Sequence, residues 1–248
     1  MRAVLEETSV MCDLCCSPAS GLSRRGLFAG MAALAGAAAL PRQAFAQTAA
    51  PQNAISPDEA LKRLIDGNAR YAANTPTNQD YSAGRVARAS AQYPIAAILS
   101  CADSRVSPEL AFDQGPGDLF VVRLAGNFVN DDGLASVEYA VKYLNTPLVM
   151  VLGHSGCGAI DAAIKVVRDK ATLPGHLQEM VRELRPAVAA AKAGKPDDLL
   201  AAAIAENIRR GKRRLETAKP ILTEFVAAKK IKVVGAHYEL ASGKITLL

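Results

Sequence analysis

A histidine and a cysteine three residues apart, His154 and Cys157, follow an apolar run of strand length at residues 147–152 (P-L-V-M-V-L). Gly153, Gly156 and Gly158 mark the turn from that strand into a helix. An imidazole and a thiol at this spacing can address one ion from the first turn of the helix, whose positive end lowers the cost of a thiolate. A third donor, Cys101, ends a second apolar run at residues 94–100 (P-I-A-A-I-L-S), and Asp103 and Arg105 follow it on either side of Ser104. Two thiolates and one imidazole with a fourth position open form the donor set of a catalytic zinc centre, whereas a structural centre closes all four. A carboxylate held by a guanidinium stays ionised and acts only as an acceptor. Beside such an ion, Asp103 could accept a hydrogen bond from an activated water and leave a lone pair aimed at substrate. A lone cysteine at a strand end is usually a small core residue, and a lone Asp-x-Arg is usually a surface pair; their conjunction carries the metal reading.

The elements that must bring these residues together follow from the pattern. Ser56-Pro57-Asp58-Glu59 reads as an N-cap, a first-turn proline and a capping-box glutamate opening an amphipathic helix to about residue 73. A weaker helix is expected at 83–91, a strand at 94–100, and a short helix capped by Ser107 and running to Phe112. A strand at 118–124, a helix at 133–143 and the strand ended by Gly153 come next. Helices are expected at 159–170, 177–192 (bent at Pro186), 196–215 and 220–229, then a strand at 231–238 turned by Ser242-Gly243 into a last strand at 244–248. Strands alternating with helices imply an α/β fold, a mostly parallel sheet flanked by helices with a C-terminal strand added by a hairpin. Ligands in such sheets gather at the carboxyl ends of strands. Cys101 ends one strand and His154 and Cys157 follow another, so the three can converge.

The chain of 248 residues, half of them hydrophobic, supports one sizeable core. Its net charge of +5 is modest, and no basic stripe interleaved with aromatics suggests a nucleic-acid partner. Arg209, Arg210, Lys212, Arg213 and Arg214 cluster on a helical pattern, which reads as a solvated face. The N-terminus reads as an address. Ser23-Arg24-Arg25-Gly26-Leu27-Phe28 precedes an Ala-rich apolar run and Ala44-Phe45-Ala46, the form of a twin-arginine signal peptide. The expected organisation is a removable signal at 1–46, a polar linker at 47–55 and a catalytic domain at 56–248, exported to the periplasm by the twin-arginine machinery. Cys12, Cys15 and Cys16 would leave with the signal, so only Cys101 and Cys157 remain in the mature chain. Export after folding suits a cysteine-ligated metal acquired before the chain meets an oxidising compartment.

The motifs C-A-D-S-R-V, P-G-D-L-F-V-V-R, G-N, S-V-E-Y-A-V, V-L-G-H-S-G-C-G-A-I and V-V-G-A-H-Y-E-L-A-S-G-K-I resemble, in order and spacing, those of the β-class carbonic anhydrases, from about residue 55 to the C-terminus. The resemblance implies one Zn²⁺ per subunit on Cys101, His154 and Cys157, an Asp103–Arg105 catalytic dyad, and reversible hydration of CO₂ to bicarbonate and a proton. It also implies a homodimer or higher homo-oligomer with the pocket at the subunit boundary. Gln92, nine residues before Cys101, matches the family glutamine near bicarbonate, and Phe120 and Tyr139 match pocket aromatics. These need not face the zinc of their own chain. Ile98, rather than Trp, stands three residues before Cys101, which favours the sub-type with an accessible fourth position. Leu124 departs from the polar residue many members carry before G-N. Two other readings share the ligands: a hydrolase of carbonyl sulfide or carbon disulfide, and a zinc-stabilised structural homologue. The second leaves Asp103, Arg105 and Gln92 without a purpose. His176 is expected in a loop or cap, and His237 packed in a strand.

Overall fold

The strands are short and apolar because most are buried on both faces of a parallel sheet. In the computed structural model, which describes residues 51–77, 80–82 and 84–248, the sheet has the order β2-β1-β3-β4-β5. Strands β1 (Ala96–Ser100), β2 (Leu119–Arg123), β3 (Leu148–His154) and β4 (Lys232–Tyr238) run parallel, and β5 (Ile245–Leu247) returns antiparallel to β4. This is the expected α/β fold. Every residue of β1 and β3 is buried, whereas β2, at the sheet edge, is only half-covered. The twin-arginine motif, the leader cysteines and the first four residues of the expected linker lie outside the described residues.

Side chains alternate across the sheet with period two. Ala97, Leu99, Val149 and Val151 face a layer built from α4 (Asp131–Leu144), α5 (Gly158–Asp169), α6 (Leu177–Ala193), α7 (Leu199–Glu216) and α8 (Ile221–Ala227). Ile98, Leu148, Met150 and Leu152 face a thinner layer containing α1 (Pro57–Ala72) and α3 (Pro108–Ala111). The short α2 (Arg85–Ser90) has no buried residue.

Three local expectations change. Gly153 does not end β3; the strand continues through it to His154. The missing side chain serves packing instead: a Cβ there would lie 2.6 Å from Cδ1 of Ile208 on α7, and one at Gly235 on β4 would lie 2.7 Å from Cγ2 of the same residue. The two glycines hollow the sheet so that α7 can seat Ile208. Ser107 makes no side-chain capping bond to α3, whereas Ser56 accepts the Glu59 N–H at 3.1 Å as expected. The end of the polar stretch before α1 is not a free linker, because Asn53 is buried and donates its amide to the Leu144 carbonyl at 2.6 Å.

Candidate zinc centre

Parallel pairing fixes where the ligands emerge. Ser100 of β1 pairs with Leu152 of β3, so Cys101 and His154 leave adjacent strands at the same end of the sheet. Gly156, at φ +63°, turns the chain in the left-handed region, and Cys157 becomes the N-cap of α5. Both sulfurs and one His154 ring nitrogen lie within 4.8 Å of one another, and all three residues are buried. Among the described residues no other such cluster occurs.

The donor set fits zinc. The His154 Nδ1 lies 2.9 Å from the Ser155 carbonyl, which can only accept, so Nδ1 carries the proton and Nε2 presents a lone pair. That Nε2 is buried and makes no hydrogen bond, an expensive arrangement unless a ligand completes it. The two thiols are free and adjacent. Between themselves they share one proton: the hydrogen bond from Cys157 holds the Cys101 thiol well below its ordinary range, against the opposing effect of burial. That same bond, with burial, pushes the Cys157 thiol up. Burial disfavours an imidazolium at His154, but the neighbouring Cys101 thiolate outweighs it and raises the pKa.

Asp103 stands at the edge of this cluster. Its Oδ1 accepts from Arg105 Nε at 2.9 Å and from the Arg105 backbone N–H at 3.0 Å, and its Oδ2 accepts from Arg105 Nη2 at 2.7 Å. The guanidinium holds the carboxyl well below the usual carboxylate range, so Asp103 is an obligate acceptor at neutral pH. Its Oδ2 is 3.8 Å from His154 Nε2.

Several supporting residues escaped the sequence reading. Arg123, at the end of β2, donates to the backbone carbonyls of Cys101 at 3.0 Å and Asp103 at 2.6 Å, fixing the C-A-D turn. The Gly126 N–H donates to Cys101 Sγ at 3.2 Å, and the buried Asn207 on α7 donates its amide to the Gly126 carbonyl at 2.8 Å. The Ser155 hydroxyl donates to Glu239, the residue after β4, at 2.7 Å. Arg123 was visible as the one basic residue in an apolar strand; Asn207, 106 residues beyond Cys101, had no local signal.

Gln92, Phe120 and Tyr139 do not join this cluster. Gln92 is exposed before the start of β1, at the opposite end of the sheet from Cys101. Phe120 pairs in register with Ala97, four residues short of Cys101, or about 13 Å along a strand. Its ring lies 6.2 Å from that of Tyr139, which is 5.5 Å from that of Tyr143, and Tyr139 and Tyr143 are exposed beside the sheet edge. His176 is the exposed residue before α6 and His237 is half-buried on β4, as expected.

Comparison with known proteins agrees with this geometry. The family model for carbonic anhydrase matches residues 96–245. Carbonic anhydrase 2 of Mycobacterium tuberculosis is 38% identical over 196 residues, covering 77% of this chain and 93% of the relative. The carbonic anhydrase of Mycolicibacterium smegmatis is 36% identical over the same length and shares. The β-carbonic anhydrase of Coccomyxa, solved with acetazolamide, superposes with a TM-score of 0.61 at 28% identity, covering 76% of this chain and 86% of its own. Fold, donor set and relatives define a zinc-dependent lyase of the parallel-sheet type. The chain belongs to the β-class carbonic anhydrases.

Proposed function

We propose that Cys101, His154 and Cys157 hold the zinc ion, with a fourth position left open, and that Asp103, locked by Arg105, orients the attacking water in the hydration of CO₂ to bicarbonate. The observation that carries the assignment is the buried, unpartnered Nε2 of His154 facing two free thiols. Zinc, when bound, supplies the Lewis acidity that brings the pKa of water from 15.7 to about 7. The protein does the rest. With Arg105 on both carboxylate oxygens, Asp103 can accept an O–H but cannot give a proton, so a water beside it turns a lone pair toward CO₂. Arg123 and Gly126 keep the Cys101 turn and sulfur in place. The two mycobacterial relatives described above are carbonic anhydrases, which favours CO₂ over carbonyl sulfide or carbon disulfide as substrate.

On this reading the molecule works as a homodimer or larger homo-oligomer. The half-covered β2 edge and the exposed Tyr139 and Tyr143 beside it form the contact surface. Gln92, Phe120 and Tyr139 then line the pocket of a neighbouring subunit, since they are remote from the ligands of their own. The twin-arginine motif at Arg24-Arg25 supports export of the folded, zinc-loaded chain to the periplasm, with residues 1–46 removed.

Stopped-flow CO₂ hydration, with and without a chelator and after zinc readdition, tests the assignment. Activity should vanish with zinc and return with it, and Cys101→Ser should lose both zinc and activity. A Cys101→Ser protein that retained stoichiometric zinc and full CO₂ hydration would refute it.

A further inference from the structure

Helices α6 and α7, with Phe128 and Val129, line an open cavity of about 380 Å³ that contains none of the zinc ligands. Its wall carries four guanidiniums, Arg182, Arg210, Arg213 and Arg214, against one carboxylate, Glu183. Three of the four are tied only at the rim: Arg182 to Glu179, Arg213 to Glu206 at 2.8 Å, and Arg214 to Asp131 at 2.9 Å. Exposed ion pairs of this kind contribute little, and a better acceptor displaces them; the Asp131 side chain is 96% exposed. Arg210 has no ion pair among the described residues, although it lines the same cavity.

The chemistry of the lining is selective. A guanidinium presents paired N–H donors in a planar fork that matches the oxygens of a phosphate, and several around one cavity can share its charge. Gly211 adds depth by having no side chain, while Phe128 and Pro186 offer apolar surface beside the cations. A bare ion would leave that surface unused. We propose that this cavity is a binding site for a small phosphate monoester, with the phosphate held by Arg210 and the flanking arginines and its organic part against Phe128 and Pro186. The arginine run therefore does more than solvate a helix face.

Phenyl phosphate titrated into the zinc-loaded protein by calorimetry tests this. Saturable binding is expected, weakened about tenfold or more by Arg210→Ala, the loss of one charge-assisted contact. Arg209→Ala, an equal charge change at an exposed neighbour that does not line the cavity, should leave the affinity unchanged. No saturable binding overturns the proposal. So does binding that Arg210→Ala leaves intact, which would place the anion elsewhere, including at the zinc, and so does equal weakening by Arg209→Ala, which would mean general attraction to a basic surface.

Discussion

Asn207 lies on α7, far in sequence from every ligand, yet the geometry ties it to the zinc. Its side chain is buried, its amide holds the Gly126 carbonyl at 2.8 Å, and the Gly126 N–H holds Cys101 Sγ at 3.2 Å. Gly126 cannot slide to compensate. It sits at φ +87°, and even a single added carbon would meet Leu184 Cδ1 at 2.9 Å and the Ala159 Cβ at 3.2 Å. Asn207→Ala therefore strands a carbonyl in a packed turn, at a cost of about 1–3 kcal/mol. For a domain of this size that is a fall in Tm of about 2–12 °C. Because the turn carries the N–H that steadies a ligand sulfur, zinc affinity should fall about tenfold, at the low end of what outer supports of a metal site contribute. Asn207→Asp separates hydrogen bonding from packing: it keeps the volume but sets a carboxylate against a carbonyl, so it should be at least as damaging as alanine. Differential scanning fluorimetry and the rate of zinc loss to a chromogenic chelator measure both effects. An aspartate variant as stable as wild type, or an alanine variant that releases zinc no faster, would refute the coupling.

Replacing Arg105 by Lys removes the two-point clamp on Asp103 while keeping a cation, and should lower kcat for CO₂ hydration by about 10–100-fold with zinc content unchanged; parallel loss of zinc would mean that the residue acts on the metal rather than on Asp103. Asp113 is buried, and burial raises its pKa, but the Arg70 ion pair and the Thr77 N–H outweigh this and hold it below the ordinary value. A group lowered in the folded state contributes stability above its unfolded pKa of about 3.9, lost as pH falls through the folded value. Asp113→Asn should thus be less stable at pH 6 and show a shallower loss below about pH 4 in denaturant titrations; an unchanged acid limb would contradict this. Mixing Gln92→Ala with Asp103→Asn subunits tests whose pocket Gln92 serves. In a mixed dimer one site then has both residues intact, and random pairing should restore about a quarter of wild-type activity. If Gln92 acts within its own chain, mixing restores nothing.

The ligands were legible because a parallel sheet leaves little freedom. Fully apolar runs declared β1 and β3 as interior strands, and residues at the carboxyl ends of interior strands gather at one end. That rule brings Cys101, His154 and Cys157 together, and their donor types supply the chemistry. Gly153 was misread because glycine after an apolar run has two physical meanings. Within a chain segment it looks like a strand breaker, and only the approach of Ile208 from α7 shows that it is a packing notch. Arg123 was similarly ambiguous, since a charge at the end of a strand often points to water. Here two of its five N–H donors are turned inward, onto the two carbonyls of the C-A-D turn.

Gln92 marks the limit of the one-dimensional reading for a different reason. Nine residues before Cys101, most of them extended through β1, put it across the whole depth of the sheet from the zinc ligands. No loop rearrangement within one chain bridges that span, because every residue of β1 is buried and paired on both sides. The ligand set and the Asp103–Arg105 pair are therefore complete within a chain, while the aromatic and amide groups assigned to substrate are not. If both sets serve one reaction, assembly is a condition of activity rather than an addition to it, and the edge strand β2, left half-covered in a sheet whose interior strands are sealed, is where that assembly has surface to use.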